Sequence, residues 1–304
     1  MLLLIIFSPE IYSEDAYGHY LYSKNAISHP TLFLDQWNKP LFSIFTTLPY
    51  QFGLEAARVL SVLVGIATIF LTVKIAKELK ISDKKTIVLL SVTVPFFWLL
   101  ATAPMTEMFF AFFTALLLYF FVKDKVLFAA IVVSILPFVR QEGFLFLGFF
   151  FLYWIIKKKW FALPISLIIP IIFGLIGLVV YGDFFWMVTS NPYLGGNVYG
   201  YGRILNYPIE LALTLGPIVY LFLFVGLIEM IKRVKTLGKE KVLLILFFIF
   251  ALFHVIIWSL GLFRSAGYAR VFIGLFPIII IVAAYALENI KKINKWVFLI
   301  VGII

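Results

Sequence analysis

The chain has 304 residues, 63% of them hydrophobic and only 13% charged, against roughly 45–50% and 25% in soluble domains. With a mean hydropathy of +1.09 it carries more apolar surface than a water-wetted globule of this length can hide, which excludes a soluble enzyme and a disordered chain. Zero cysteines exclude disulfides, thiolate zinc sites and a cysteine nucleophile, and the net charge of +10 is distributed in a way that excludes nucleic acid as the partner.

In chain order, Met1–Phe7 is a seven-residue apolar stub, far short of the roughly 20 residues a span needs. Residues 8–54 follow as a long, aromatic first loop. In it Tyr17, Tyr20 and Leu21 stand at helical spacing behind Glu14 and Asp15. A second amphipathic helix is expected after Pro40, with Leu41, Ile44, Phe45 and Leu48 on one face. Both read as helices lying in the membrane interface. Nine apolar spans are then expected near 56–76, 86–103, 105–122, 126–140, 143–156, 161–181, 209–231, 242–262 and 271–290. The apolar tail Trp296–Ile304 is again too short to span, so the chain reads as a piece truncated at both ends. The expected class is an all-α polytopic membrane protein of about nine or more helices. It reads as one membrane domain over 1–304: a first loop over 8–54, a core over 55–181, a second loop over 182–208 and C-terminal helices over 209–304.

The charges set the orientation. Lys74 to Lys85, Lys123 and Lys125, Lys157 to Lys159, Lys232 to Lys241, and Lys291 to Lys295 form short basic groups in every second loop. That is the positive-inside pattern of a multi-spanning protein in a cell membrane. The opposite, extracytoplasmic side receives every arginine except Arg233, together with most of the carboxylates. An arginine fork matches phosphate oxygens better than a lysine point charge does. Arg140-Gln141-Glu142-Gly143 interrupts an apolar run from Val126 to Trp154, and charges in such a place default to a functional reading. The plain alternative is an Arg140–Glu142 turn at the interface. The loop at 182–208, rich in Gly, Tyr and Asn, reads equally as a lid or as a connector.

Glu14-Asp15-Ala16-Tyr17, then Trp37-Asn38-Lys39-Pro40-Leu41, then Ala57-Arg58-Val59-Leu60-Ser61-Val62-Leu63, and finally Met105-Thr106-Glu107 make a series that resembles the GT-C superfamily of polyprenyl-phosphate-sugar glycosyltransferases. It is most similar to the protein O-mannosyltransferase and aminoarabinose-transferase-like branch. The likeness covers about residues 10–160. It departs from the pattern in lacking a full first transmembrane helix and in carrying Lys-Pro-Leu where Lys-Pro-Pro is usual, and the C-terminal half has no matching motif. The resemblance implies a GT-C-like helix bundle that moves a sugar from a polyprenyl-phosphate donor to a protein, lipid or glycan hydroxyl outside the membrane.

Such a reaction needs a base for the acceptor proton and cations for the phosphate. The resemblance makes Asp15 the base, with Glu14 orienting it and Glu107 as a second acid. An N-terminal helix charge is the simple alternative for all three. Substrate binding falls to Tyr17, Lys39, Arg58, Arg140, Glu142, Arg264 and Arg270. No metal site is expected, since His19 and His29 lack ligand spacing; no cofactor is required, and divalent-cation dependence stays open. His254, inside a span, reads as a helix–helix hydrogen-bond partner. A lipid-linked-saccharide transporter and a non-catalytic membrane subunit are the competing classes. A transporter would place charges near the midplane.

Overall fold

The computed structural model describes residues 13–195 and 198–289, and among these there are helices and turns but no strand. The stub at Met1–Phe7, the tail from Trp296, the basic group at Lys291 to Lys295, Glu10 and Asn197 lie outside the described residues. Helix α1 (Glu14–Asn25) is started by Ser13, whose hydroxyl accepts the Ala16 N–H at 3.4 Å, with Glu14 and Asp15 in the first turn where the helix dipole favours acids. A 3-10 turn (Pro30–Leu34) leads to α2 (Pro40–Tyr50), which opens on a proline at its first helical position.

The α2 helix turns a mixed face inward, with Phe42 and Tyr50 buried beside three hydroxyl side chains. Ile44, Phe45 and Leu48 are exposed, whereas Ser43, Thr46 and Thr47 are buried. The Thr46 hydroxyl donates to Ser23 Oγ at 2.9 Å and the Thr47 hydroxyl to the Ser23 carbonyl at 2.9 Å. Of the stripe expected on one face, only Leu41 packs inward. The outward Ile44, Phe45 and Leu48 make the apolar face that a helix resting on lipid requires.

The long apolar runs follow as α3 (Leu54–Glu78), α4 (Lys84–Val92), α5 (Pro95–Ala101), α6 (Thr106–Val122), α7 (Val126–Val139), α8 (Gly143–Ile156), α9 (Ala162–Ser166), α10 (Ile168–Tyr181) and α11 (Trp186–Thr189). They continue as α12 (Asn206–Lys232), α13 (Glu240–Ser259), a 3-10 segment (Ala269–Leu275) and α14 (Phe276–Asn289). Each of the nine expected spans is helical, but four described helical stretches are long and apolar enough to cross a membrane: 54–78, 206–232, 240–259 and 269–289. A fifth arises if α4 and α5 act together; they bend by 78° at Thr93-Val94, where Pro95 denies the preceding residue a helical backbone. Helices α6, α7, α8 and α10 have 17 residues or fewer.

At the centre, α6 packs against α3, α7 and the 3-10 segment, while α14 runs along α12. Gly226 permits that approach, because a Cβ there would lie 2.2 Å from the Val282 carbonyl oxygen. The alternation of short turns returns the N-termini of α1, α6 and α8, the C-terminus of α7 and the 260–270 turn to one end of the bundle.

Candidate active site

At that end a cavity of about 510 Å³ is lined by Asp15, Lys39, Glu107, Arg140, Glu142, Arg264 and Arg270, with His19, Trp37, Tyr193, Tyr207 and His254 among its other walls. Five of its charged side chains form a continuous chain of ion pairs. Asp15 Oδ2 receives Arg270 Nη2 at 2.5 Å, and Arg270 Nε lies 3.5 Å from Glu107 Oε1. Glu107 Oε1 pairs with Arg140 Nη1 at 3.0 Å, and Arg140 Nη2 pairs with Glu142 Oε1 at 2.8 Å. The same Glu142 oxygen stands 3.8 Å from His254 Nε2. Arg140 also donates to Thr106 Oγ1 at 2.8 Å. Charges as buried as Glu107 and Glu142 are stable only when paired, and Arg140 and Arg270 supply that pairing.

The turn holding Arg140 and Glu142 depends on Gly143, where a Cβ would sit 2.2 Å from the Leu136 carbonyl carbon. Arg140 is fully extended as α7 ends, and Glu142 immediately precedes α8. Burial opposes the charge on Glu142, but the Arg140 guanidinium outweighs it and holds that carboxyl at about 2.

Lys39 comes to the cavity through a strained backbone (φ 69°) just before Pro40. Asn38 fixes that corner: its amide donates to Ser23 Oγ at 3.1 Å and Ser43 Oγ at 2.6 Å, and its carbonyl oxygen meets His19 Nδ1 at 2.7 Å. Lys39 Nζ donates to the Gln36 carbonyl at 2.7 Å and to Tyr193 Oη at 3.4 Å, lying 4.5 Å from the centre of that ring. Burial, reinforced by the Arg140 charge, lowers Lys39 from 10.5 to about 7. Burial likewise lowers His19 to about 4, so this imidazole stays neutral near pH 7.

The structure separates the expected site residues. Asp15 turns to the cavity, whereas Glu14 and Tyr17 on the same turn are exposed and do not line it. Arg58 is removed from the cavity. It is buried at the start of α3, where Nε donates to the Thr102 carbonyl at 3.1 Å and Nη1 pairs with Glu55 at 3.3 Å. The physical reason is its rotation about α3, which aims it at the turn between α5 and α6. His254 also differs from the expectation: its Nε2 is buried without a hydrogen-bond partner and the residue lines the cavity.

Among the residues not named as site residues from the sequence, Gln141 donates to Asn191 Oδ1 at 3.1 Å, and Asn191, Tyr193 and Tyr199 join the cavity wall. The 182–208 loop is thus tied to the Arg140 turn and to Lys39. Its Tyr and Asn content was the available signal. Arg264 reaches the wall on a strained turn, with Phe263 at φ 54° and Arg264 at φ 46°. Among the described residues no group of three or more His, Asp or Glu side chains is arranged to hold a metal ion.

No family model matches the chain, and neither does any curated protein. A solved structure does: the crystal structure of ArnT from Cupriavidus metallidurans bound to undecaprenyl phosphate, with a TM-score of 0.67 at 12% identity. The match covers 97% of this chain and 59% of that one, so this chain spans somewhat over half of that protein's length. The fold is therefore similar to that of ArnT.

Proposed function

We propose that this protein is a membrane glycosyltransferase that moves a sugar from a polyprenyl-phosphate donor to an acceptor hydroxyl on the extracytoplasmic face of the plasma membrane. The observation that carries the reading is the single cavity shared by Asp15, Arg270, Glu107 and Arg140. A carboxylate stands there beside two guanidinium forks, which is the pairing that transfer from a lipid phosphate demands. The donor's phosphate takes up the forks of Arg140 and Arg270, with Lys39 beside them. The acceptor oxygen attacks the anomeric carbon, its proton passes to Asp15, and the bond to the phosphate oxygen breaks with its electron pair left on the phosphate. That leaving group is already anionic, so it needs held cations more than an acid. The acceptor is a protein, lipid or glycan hydroxyl, the bilayer supplies the donor, and no step calls for a cofactor.

The test is sugar transfer from a radiolabelled polyprenyl-phosphate donor in membranes, with expression level matched. Asp15→Asn keeps the shape and removes the proton acceptor, so turnover should fall by roughly 10²–10⁴-fold with donor binding little changed. Glu14→Gln should cost much less, since Glu14 is exposed away from the cavity. Unaltered transfer by Asp15→Asn removes the base assignment.

A further inference from the structure

The far end of the ion-pair chain is built differently from the Asp15 end. His254 is 5% exposed, lines the cavity, and its Nε2 is buried with no hydrogen-bond partner. Glu142 Oε1 lies 3.8 Å away, too far for a direct hydrogen bond. One oxygen atom placed between them can reach both at about 2.8 Å, an ordinary hydrogen-bond length. A hydroxyl suits that gap because it donates and accepts at once. An ammonium group gains less there, because the charge of this carboxylate is already offset by Arg140, through Nη2 at 2.8 Å and Nε at 3.3 Å.

The charge balance of the whole cavity agrees. Among the described lining residues there are three carboxylates, Asp15, Glu107 and Glu142, against Arg140, Arg264, Arg270 and Lys39. Each carboxylate has a guanidinium within 3.0 Å. No anion is left over to receive a cationic sugar, and the excess is positive, as a phosphate requires. Tyr207, whose ring centre is 6.0 Å from that of His254, also lines the cavity.

From this we infer that Glu142 and His254 form the sugar-reading subsite and that the sugar is a neutral, hydroxyl-bearing one, not an amino sugar. The inference rests on the glycosyltransferase reading and names its substrate class.

The experiment measures competition with radiolabelled undecaprenyl phosphate for the purified full-length protein in detergent. The competitors are undecaprenyl-phosphate-linked glucose, mannose and 4-amino-4-deoxyarabinose. The neutral-sugar donors should compete about tenfold better than the amino-sugar donor or the bare lipid phosphate, the loss of one well-placed hydrogen-bonding pair. His254→Phe, which preserves the packing, should erase that preference and leave bare undecaprenyl phosphate bound as before. Equal or tighter binding of the amino-sugar donor, or an undiminished preference in His254→Phe, overturns the subsite. Failure of the wild-type protein to bind undecaprenyl phosphate at all overturns the glycosyltransferase reading and takes the subsite with it.

Discussion

At the scale of single residues, the cavity combines groups whose charge is locked with one whose charge is adjustable. Glu142, held at about 2, keeps its charge through the physiological range. Lys39, lowered to about 7, does not. Its ordinary value of 10.5 means that between about 7 and 10.5 the unfolded chain binds a proton the folded one lacks, so this residue makes stability rise with pH across that window. Anion binding runs the opposite way, because a phosphate favours the charged lysine. Donor affinity should therefore be nearly flat below pH 7 and fall by up to about tenfold per pH unit above it. Lys39→Arg, charged throughout, should remove the slope. The measurement is the donor's apparent affinity between pH 6 and pH 9; a slope that persists in Lys39→Arg assigns the titration to another group. The pairing of Asp15 with Arg270 crosses 255 positions of sequence, which explains why no local pattern announced it.

At the scale of elements, breaks matter as much as helices. The expected span at 209–231 appears as α12, but Gly216 (φ 74°) interrupts it just before Pro217, the combination that bends helices most readily. The Thr93 carbonyl oxygen would stand 2.9 Å from a Cβ at Gly216, so the bend nests against the break between α4 and α5. Farther along α12, the close crossing with α14 rests on Gly226. Gly226→Ala puts a methyl 2.2 Å from the Val282 carbonyl oxygen and must push the two helices apart. The cost should be about 1–3 kcal/mol, as for overpacked cores, seen as a lowered melting temperature of the detergent-solubilised protein. An unchanged melting temperature would mean that α12 and α14 separate without loss. Gly226 does not line the cavity, so donor binding by the folded fraction should survive.

At the scale of the whole molecule, the basic turns at Lys80, Lys123 and Lys158 and the arginine-lined cavity occupy opposite ends of the helices that join them. If basic loops mark the cytoplasm, the cavity opens outside. A chain without cysteine allows a clean test: Ser28→Cys, on the exposed first loop, and Lys158→Cys, on an exposed basic turn. In intact cells an impermeant thiol reagent should label Ser28→Cys and spare Lys158→Cys until the membrane is permeabilised. The reverse pattern would put the cavity in the cytoplasm.

What the sequence determined by itself was everything that depends on near neighbours in the chain. Hydropathy located the apolar runs, which are helical in the described residues although only four or five stretches are long enough to cross a membrane, because apolar run length is a local property of the chain. The Arg140 turn was legible because charges inside an apolar run are costly unless used. Glu14 and Asp15 at a helix start, and Lys39 before Pro40, were legible as local motifs. The tertiary structure alone decided which of those side chains meet. Asp15 faces the cavity and Glu14 does not, because successive helical residues point about 100° apart and only packing selects the inward one. Arg58 went to the Thr102 turn, and His254 came to stand opposite Glu142, because the rotation of each helix about its axis is set by contacts with distant segments. The number of long spans was likewise a tertiary matter, since Pro95 and Gly216 bend or interrupt apolar runs at points where a neighbouring segment accommodates the break.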